Sequence, residues 1–259
     1  MCRIHRTLIM KSLIITVAGM SSRFNKDTEE DVLKCLYYED KPENSLLSLQ
    51  IHKTFDLVDE IIVVGGYKYD DLVAFIRDNM KDVHKKMRVV YNNHYNAYGA
   101  GYSLIKGIET VSNQTDEISF IEGDLFFSSD DVETIINSPM DVISVNNEPI
   151  LSNKAVALYF DAHYCPHYIY DTSHSCLEIH EPFTAIYNSA QMWKFRNPAR
   201  VREICQFLTP EQEQGTNLEI IQKYFGAYRS SSLDIVSVRL WYNCNTVADY
   251  QEAIKALNV

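Results

Sequence analysis

Long apolar runs are missing from this 259-residue sequence. No stretch approaches the roughly 18 consecutive apolar residues that cross a bilayer, so no membrane span is expected. Arg3 and Arg6 precede an apolar stretch from Leu8 to Met20, but Lys11 and Ser12 interrupt it, which disfavours a cleaved signal. Dense cysteine is also missing. The six cysteines are scattered, with no C-x-x-C pair, which argues against a disulfide framework and fits reduced thiols in a cytoplasm. Positive charge is short: the net charge of -11 opposes binding to a nucleic-acid backbone, which needs clustered Lys and Arg. It does not oppose a triphosphate, because a few placed cations and Mg²⁺ neutralise one locally. Neither G-x-x-x-x-G-K-[ST] nor G-x-G-x-x-G occurs, and the second expected strand ends in Gly65-Gly66 where a dinucleotide fold wants an acidic residue. A P-loop ATPase and a nicotinamide dehydrogenase are therefore disfavoured. No repeat and no Pro/Ser/Gly-rich linker interrupts the chain, so one unit over residues 10–259 is expected. Residues 1–9 show no pattern and read as an extension, non-native or disordered, with Met10 as the natural start.

What is present is 46% hydrophobic residues in short β-branched runs that alternate with longer amphipathic stretches. That alternation predicts an α/β fold, a mostly parallel mixed sheet in a three-layer α/β/α, Rossmann-like arrangement. Strands are expected at Leu13 to Val17, Ile61 to Val64, Met87 to Tyr91, Ile118 to Ile121 and Asp141 to Val145. Helices are expected within Glu43 to Leu57, after an N-cap at Asp70, from Gly101 to Val111, and behind a D-x-x-E box at Asp130 and Glu133. Beyond residue 146, Ala155 to Phe160, Tyr168 to Tyr170 and Pro182 to Tyr187 read as antiparallel or mixed strands. Helices at Ala190 to Leu208 and Leu218 to Phe225, a strand at Ile235 to Leu240, and a last helix capped by Thr246 complete the pattern. Residues 10–146 are expected to form a nucleotide-binding half, and residues 147–259 an acceptor-binding half.

The segment Ala18-Gly19-Met20-Ser21-Ser22-Arg23 follows the first strand directly. Small residues there let backbone N–H groups approach phosphate oxygens at the C-terminal edge of the sheet, and Arg23 adds a charged fork. An ordinary βα turn with a surface arginine has the same composition. Lys34 lies downstream, where it either reaches the α-phosphate or the acceptor phosphate or stays a solvated surface charge. Ser119 to Asp124 is an apolar strand that ends in Glu122 and Asp124, two carboxylates pointing to one side at the edge where Mg²⁺ sites of phosphoryl transfer are built; a capping or turn carboxylate is the alternative.

Together with Ile62 to Tyr67, Tyr91 to Tyr95, Tyr102 to Leu104 and Trp241 to Thr246 followed by Asp249-Tyr250, these segments resemble in order and spacing the nucleoside-triphosphate transferase superfamily. Within it the pattern is most similar to bacterial choline-phosphate cytidylyltransferases and related enzymes of surface-polysaccharide synthesis. The resemblance implies a Mg²⁺-dependent nucleotidyltransferase. Ala18, Gly19, Met20, Ser21, Ser22 and Arg23 would hold the triphosphate, and Lys34 would stabilise charge beside Arg23. Asp124 would be the first metal ligand, and Asn93, Gly101 and Ser103 would lie against base and ribose. Where the family carries acidic residues in its last motif this chain has Asn243 and Asn245, so Asn245 would offer Mg²⁺ a carbonyl without formal charge. That departure raises a second reading, a catalytically weakened nucleotide-binding or regulatory protein on the same fold.

For the acceptor, 17 tyrosines and two tryptophans supply material for a box around a quaternary ammonium group. Tyr98, Tyr102, Tyr187, Trp193 and Trp241 are candidate walls and Glu181 a candidate counter-charge, with core packing as the alternative for each. The expected partners are accordingly a nucleoside triphosphate, CTP first, and a small phosphorylated metabolite such as phosphocholine or a sugar phosphate. His163, Cys165, His167, His174, Cys176 and His180 also place six soft ligands within 18 positions, where a hairpin would assemble zinc; their spacing matches no familiar zinc signature.

Overall fold

The computed structural model describes residues 9–151, 156–169 and 177–258. Strand β1 (Lys11–Thr16), helix α1 (Leu46–Thr54), β2 (Glu60–Gly65), α2 (Tyr69–Asn79), β3 (Met87–Tyr91), α3 (Ala100–Thr110) and β4 (Glu117–Glu122) form successive βα units. After them come β5 (Leu125–Phe127), α4 (Ser129–Asn137), β6 (Asp141–Asn146), β7 (Ala157–Asp161), β8 (Pro166–Ile169) and the long β9 (Phe183–Phe195). The chain closes with α5 (Pro198–Gln206), α6 (Pro210–Glu213), α7 (Leu218–Phe225), β10 (Leu233–Val238), β11 (Trp241–Asn243) and α8 (Val247–Lys255).

The main sheet runs β10-β6-β9-β4-β1-β2-β3, with β7 and β8 added beside β9. Along that order all neighbours are parallel except those made by β9, which lies antiparallel between β4 and β6; β7 pairs antiparallel with both β8 and β9. Both faces are covered, as a parallel sheet requires. Leu13 and Ile15 of β1 point into a core shared with α1, α2 and α4, while Ile14 points into a second core shared with α3, α5 and α7. Strands β1, β2 and β3 step outward in one direction, whereas β4 returns to the other side of β1. The order therefore reverses between β1 and β4, and a crevice opens beyond their C-terminal ends.

The expected helix from Ala190 to Leu208 is corrected: Ala190 to Phe195 belongs to β9, and only Pro198–Gln206 is helical. The reason is a period of two. Ala190 and Met192 enter one core, Trp193 and Phe195 the other, and Asn197 with Pro198 then starts the helix. Two expected caps also differ. Helix α2 begins at Tyr69, behind Lys68 in the left-handed region (φ 50°), so Asp70 lies in its first turn. Helix α4 is capped by Ser128, whose hydroxyl oxygen accepts from Asp131 N–H at 3.1 Å, in place of a box at Asp130 and Glu133. Thr246 does cap the last helix, in a reciprocal box with Asp249. Of the expected strands, Tyr170 and Ala155 lie outside the described residues.

Strand β9 is anchored by a buried ion pair. Lys194 Nζ, 1% exposed, lies 2.7 Å from Glu117 and donates to the Ile136 carbonyl at the end of α4. It ties the antiparallel strand to β4 and α4 at the edge of the sheet opposite the crevice.

Candidate active site

Thr16 ends β1, and the chain leaves the sheet as a loop whose backbone is held from two sides: Val17 N–H donates to Val64 O at 2.8 Å and Tyr67 N–H to Ala18 O at 3.1 Å. Ser21 takes a left-handed conformation (φ 56°), which turns the loop back. Its Oγ accepts from Lys34 N–H at 3.1 Å, fixing Lys34 over the same crevice. A Cβ at Gly19 would project into open space, so packing does not demand that glycine, and the backbone there is open to a ligand. Gly123 is different: a Cβ would overlap the Val17 side chain and crowd the Thr16 carbonyl, so the turn that presents Asp124 needs glycine for close approach.

Four side chains meet at the loop. Lys34 Nζ lies 2.7 Å from Asp124 Oδ2 and 3.2 Å from Asn245 Oδ1, and Arg23 Nη2 donates to the same Asn245 oxygen at 2.9 Å. Asn245 Nδ2 donates to Asn243 Oδ1 at 2.7 Å, which orients its carbonyl oxygen toward both cations. The cap of α8 sets this position, since Asp249 Oδ2 accepts from the backbone N–H of Asn245 and of Thr246. Asp124 is itself held by its own carbonyl, which accepts from Cys244 N–H at 2.8 Å. Its second carboxylate oxygen, Oδ1, is buried without a hydrogen-bond partner.

Glu122 stands beside Asp124, and Asn217 Nδ2 donates to it at 2.6 Å. Burial first, and then the charge of Asp124, push the Glu122 carboxyl up to about 8, against the pull of the Asn217 hydrogen bond and Lys34. Beside the Lys34–Asp124 pair, Glu122 therefore favours its neutral form at pH 7.

The crevice is a cavity of about 230 Å³, lined by Ala18, Gly19, Ser21, Lys34, Asn92, Tyr95, Tyr98, Ser103, Glu122 and Asp124 among others. Met20 and Ser22 are exposed and lie outside that lining. Asn93 is also exposed and outside it; the neighbouring Asn92 is the asparagine that lines the cavity. Asn92 donates to Ser103 Oγ at 2.9 Å and accepts from His94 N–H at 2.8 Å, so it orders the segment that lines the cavity. Gly101 is buried against the 215–216 backbone, where a Cβ would meet Thr216 O at 2.7 Å. A second cavity of about 720 Å³ adjoins at Arg23 and Asn245, lined also by Glu148, Asn188, Trp241, Tyr242 and Glu252.

Glu181 and Tyr187 line neither cavity. Glu181 accepts from Tyr159 O–H at 2.6 Å, and Tyr187 meets Phe160 edge-on, both on the β7–β9 extension. Trp193 is core: fully buried, stacked on Phe120, its indole N–H donating to Tyr168. Trp241 lines the second cavity. Asn92, Asn188 and Glu148 were missed, because an isolated polar residue carries no pattern until the fold turns it toward a cavity. Of the candidate zinc ligands, His174 and Cys176 lie outside the described residues. His167 pairs with Asp161, His180 pairs with Glu178, and no cluster that could hold a metal through three or more His, Cys, Asp or Glu side chains occurs among the described residues.

A family profile described as a domain of unknown function, DUF6564, matches residues 30–257. The chain belongs to the DUF6564 family. No curated protein matches it by sequence. Among solved structures it is similar to the inositol-1-phosphate CTP transferase from T. maritima, with a TM-score of 0.69, 15% identity, and 95% of this chain and 96% of that one covered. It is similar also to a UDP-glucose pyrophosphorylase complexed with UDP-glucose, with a TM-score of 0.69, 12% identity and coverage of 96% and 99%. The CTP:phosphocholine cytidylyltransferase from Streptococcus pneumoniae follows with a TM-score of 0.56, 16% identity and coverage of 96% and 100%. This DUF6564 chain thus has the α/β fold of the nucleotidyltransferases, with a mixed, mostly parallel sheet. No helix among its described residues is long and apolar enough to cross a membrane.

Proposed function

We propose that this protein transfers a nucleoside monophosphate from a nucleoside triphosphate to a small phosphorylated acceptor and releases pyrophosphate. CTP is the first nucleotide to try, and phosphocholine or a sugar phosphate the acceptor. The observation that carries this reading is the convergence of Arg23, Lys34, Asp124 and Asn245 at the reversal of strand order, between a cavity behind the small-residue loop and a larger one beside Trp241. A phosphate oxygen of the acceptor attacks the α-phosphorus in line; one P–O bond forms, the bond to the β-phosphate breaks, and pyrophosphate carries the electron pair away. No protein nucleophile is required, so positioning and charge neutralisation supply the rate. Ala18, Gly19 and Ser21 of the loop receive the triphosphate, Lys34 and Arg23 neutralise charge, and Asn92, Tyr95, Tyr98 and Ser103 face the nucleoside. Residues 147–259 supply the acceptor side, Glu181 and Tyr187 at its periphery.

The donor set suits Mg²⁺. Asp124 Oδ1 is a hard oxygen donor left without a partner, and the Asn245 carbonyl is a second oxygen donor, joined to the other oxygen of that carboxylate through Lys34. Mg²⁺ is commonly held by one or two carboxylates plus substrate phosphates, and when bound it would neutralise phosphate charge. The scattered cysteines and this metabolic chemistry together favour the cytoplasm, and the resemblance of the motifs to choline-phosphate cytidylyltransferases favours surface-polysaccharide synthesis.

A second reading rests on Asn245 itself: with no formal charge at that position and Lys34 bonded to both Asp124 and Asn245, the protein would bind a nucleotide and turn over weakly. Pyrophosphate release, measured with Mg²⁺ over the four ribonucleoside triphosphates paired with amino-alcohol phosphates and sugar 1-phosphates, separates the two. Turnover by one pair that Asp124→Ala abolishes supports the transferase. Turnover unchanged in Asp124→Ala removes the metal assignment, and silence from folded, nucleotide-binding protein favours the second reading.

A further inference from the structure

The larger cavity contains a side chain that the folded protein leaves unsatisfied. Asn188 stands in the part of β9 that pairs with both β6 and β7, is 5% exposed, and lines the cavity beside Arg23 and Trp241. Its Oδ1 is buried without a hydrogen-bond partner, and among the described residues nothing bonds its Nδ2. Its sheet neighbour Asn146 shows the contrast: that amide donates to Ser189 O at 3.1 Å and accepts from Glu148 N–H at 2.9 Å. Buried polar groups are otherwise paired, and one left open carries a desolvation cost that folding alone does not recover.

A carboxamide offers one acceptor oxygen and one donor nitrogen. A hydroxyl satisfies both, since it donates and accepts; a primary ammonium only donates, and a quaternary ammonium does neither. The carboxylates and rings of the rest of the wall suit a cation as well as a polyol, so Asn188 is the group that decides. Glu148 and Glu252 add acceptor oxygens for further O–H groups, Trp241 and Tyr242 supply aromatic surface, and Arg23 supplies a guanidinium for phosphate at the seam with the first cavity. The volume of about 720 Å³ accommodates a ring with its substituents.

We infer that the acceptor is a polyhydroxylated phosphate monoester, a sugar or polyol phosphate, held with its phosphate at Arg23 and a hydroxyl on Asn188. Asn188 is then a specificity-determining residue. This rests on the transferase reading, and the test separates the two.

Full-length wild type, Asn188→Leu and Asn188→Ser are compared in two measurements. Pyrophosphate release is followed with the preferred triphosphate and a panel of hexose 1-phosphates, inositol 1-phosphate, phosphocholine and phosphoethanolamine. Binding of the same panel without triphosphate is followed by saturation-transfer NMR. The expected result is that a hydroxylated phosphate is the best acceptor, and that Asn188→Leu lowers its kcat/KM by roughly ten- to hundredfold, mainly through KM. Asn188→Ser should recover part of that loss, with nucleotide affinity unchanged and a melting temperature no lower than that of the wild type. Better turnover of phosphocholine or phosphoethanolamine than of every hydroxylated acceptor overturns the inference, as does an Asn188→Leu enzyme with unaltered selectivity. If no pair releases pyrophosphate, the transferase reading fails on its own. Binding of hydroxylated phosphates that is lost in Asn188→Leu then still supports the subsite, and no binding, or binding that survives the substitution, overturns it.

Discussion

Replacing Asn245 by aspartate tests the electrostatics of the site most directly. In the wild type one neutral carbonyl oxygen accepts from Arg23 Nη2 at 2.9 Å and from Lys34 Nζ at 3.2 Å. The two wild-type bonds already have cationic donors, and a carboxylate there turns each into an ion pair, adding Coulombic attraction to both. The substitution also removes the bond from Asn245 Nδ2 to Asn243 Oδ1 and would set two oxygens against each other across 2.7 Å. Rotation of the Asn243 amide by half a turn presents its Nδ2 instead, and no other hydrogen bond of that side chain is broken. Two strengthened bonds at about 1 kcal/mol each, less the larger desolvation of a carboxylate, leave a net gain of about 1 kcal/mol. For a chain of this size that corresponds to a rise of about 2–4 °C in melting temperature. One added formal charge beside Asp124 should also tighten Mg²⁺ binding by roughly tenfold, or about 1.4 kcal/mol. Differential scanning fluorimetry without metal gives the first quantity, and calorimetric titration of Mg²⁺ into the nucleotide-bound protein gives the second. Unchanged melting together with unchanged Mg²⁺ affinity would refute the reasoning, because Asn245 would then face neither the cations nor the metal. A large gain in turnover supports the weakened reading of the wild type; a loss means the asparagine works as it stands.

Two further predictions concern the scaffold. Lys194→Ala leaves Glu117 buried with Arg196, at 3.2 Å, as its one remaining ion-pair partner among the described residues, and should cost about 3–5 kcal/mol in urea unfolding. A cost below about 1 kcal/mol would mean that the pair is not what ties β9 to β4. Asp161, the last residue of β7, is held below the usual carboxylate range, first by the backbone N–H of Cys165 and also by His167 and the backbone of His163. Because folding lowers its pKa, its contribution is fully present above about pH 4, the unfolded value, and is lost as pH falls through the folded one. The melting temperatures of wild type and Asp161→Asn should therefore differ at pH 6 and converge in strong acid; a gap that persists at pH 2 would contradict this.

Period and punctuation carried the sequence reading where they were unambiguous. Strands β1 to β4, the helix bounded by Ala100 and Thr110, and the Thr246 cap were legible because each is a local property: alternating burial, a 3.6-residue stripe, or a hydroxyl three residues before a carboxylate. Ala190 to Phe195 was read as helix since its six residues fit both periods, and only burial on both faces, between β4 and β6, selects the strand. The Lys34–Asp124–Asn245–Arg23 cluster was legible piecewise, as motifs in order.

What the sequence by itself determined is the α/β class, the small-residue loop after the first strand, the carboxylate pair that ends the fourth, and the asparagines near the C-terminus. These follow from residue type and neighbours within a few positions. Tertiary structure alone decided which groups share a site. Arg23 and Asn245 are 222 positions apart yet 2.9 Å apart in space, and Asn92 lines the cavity while Asn93 faces solvent. It also decided that Asn188 is a buried amide without a partner, beside a cavity. Such facts depend on how strands order themselves in a sheet and on which atoms the packing leaves unpaired, and neither is encoded in any local stretch of the chain.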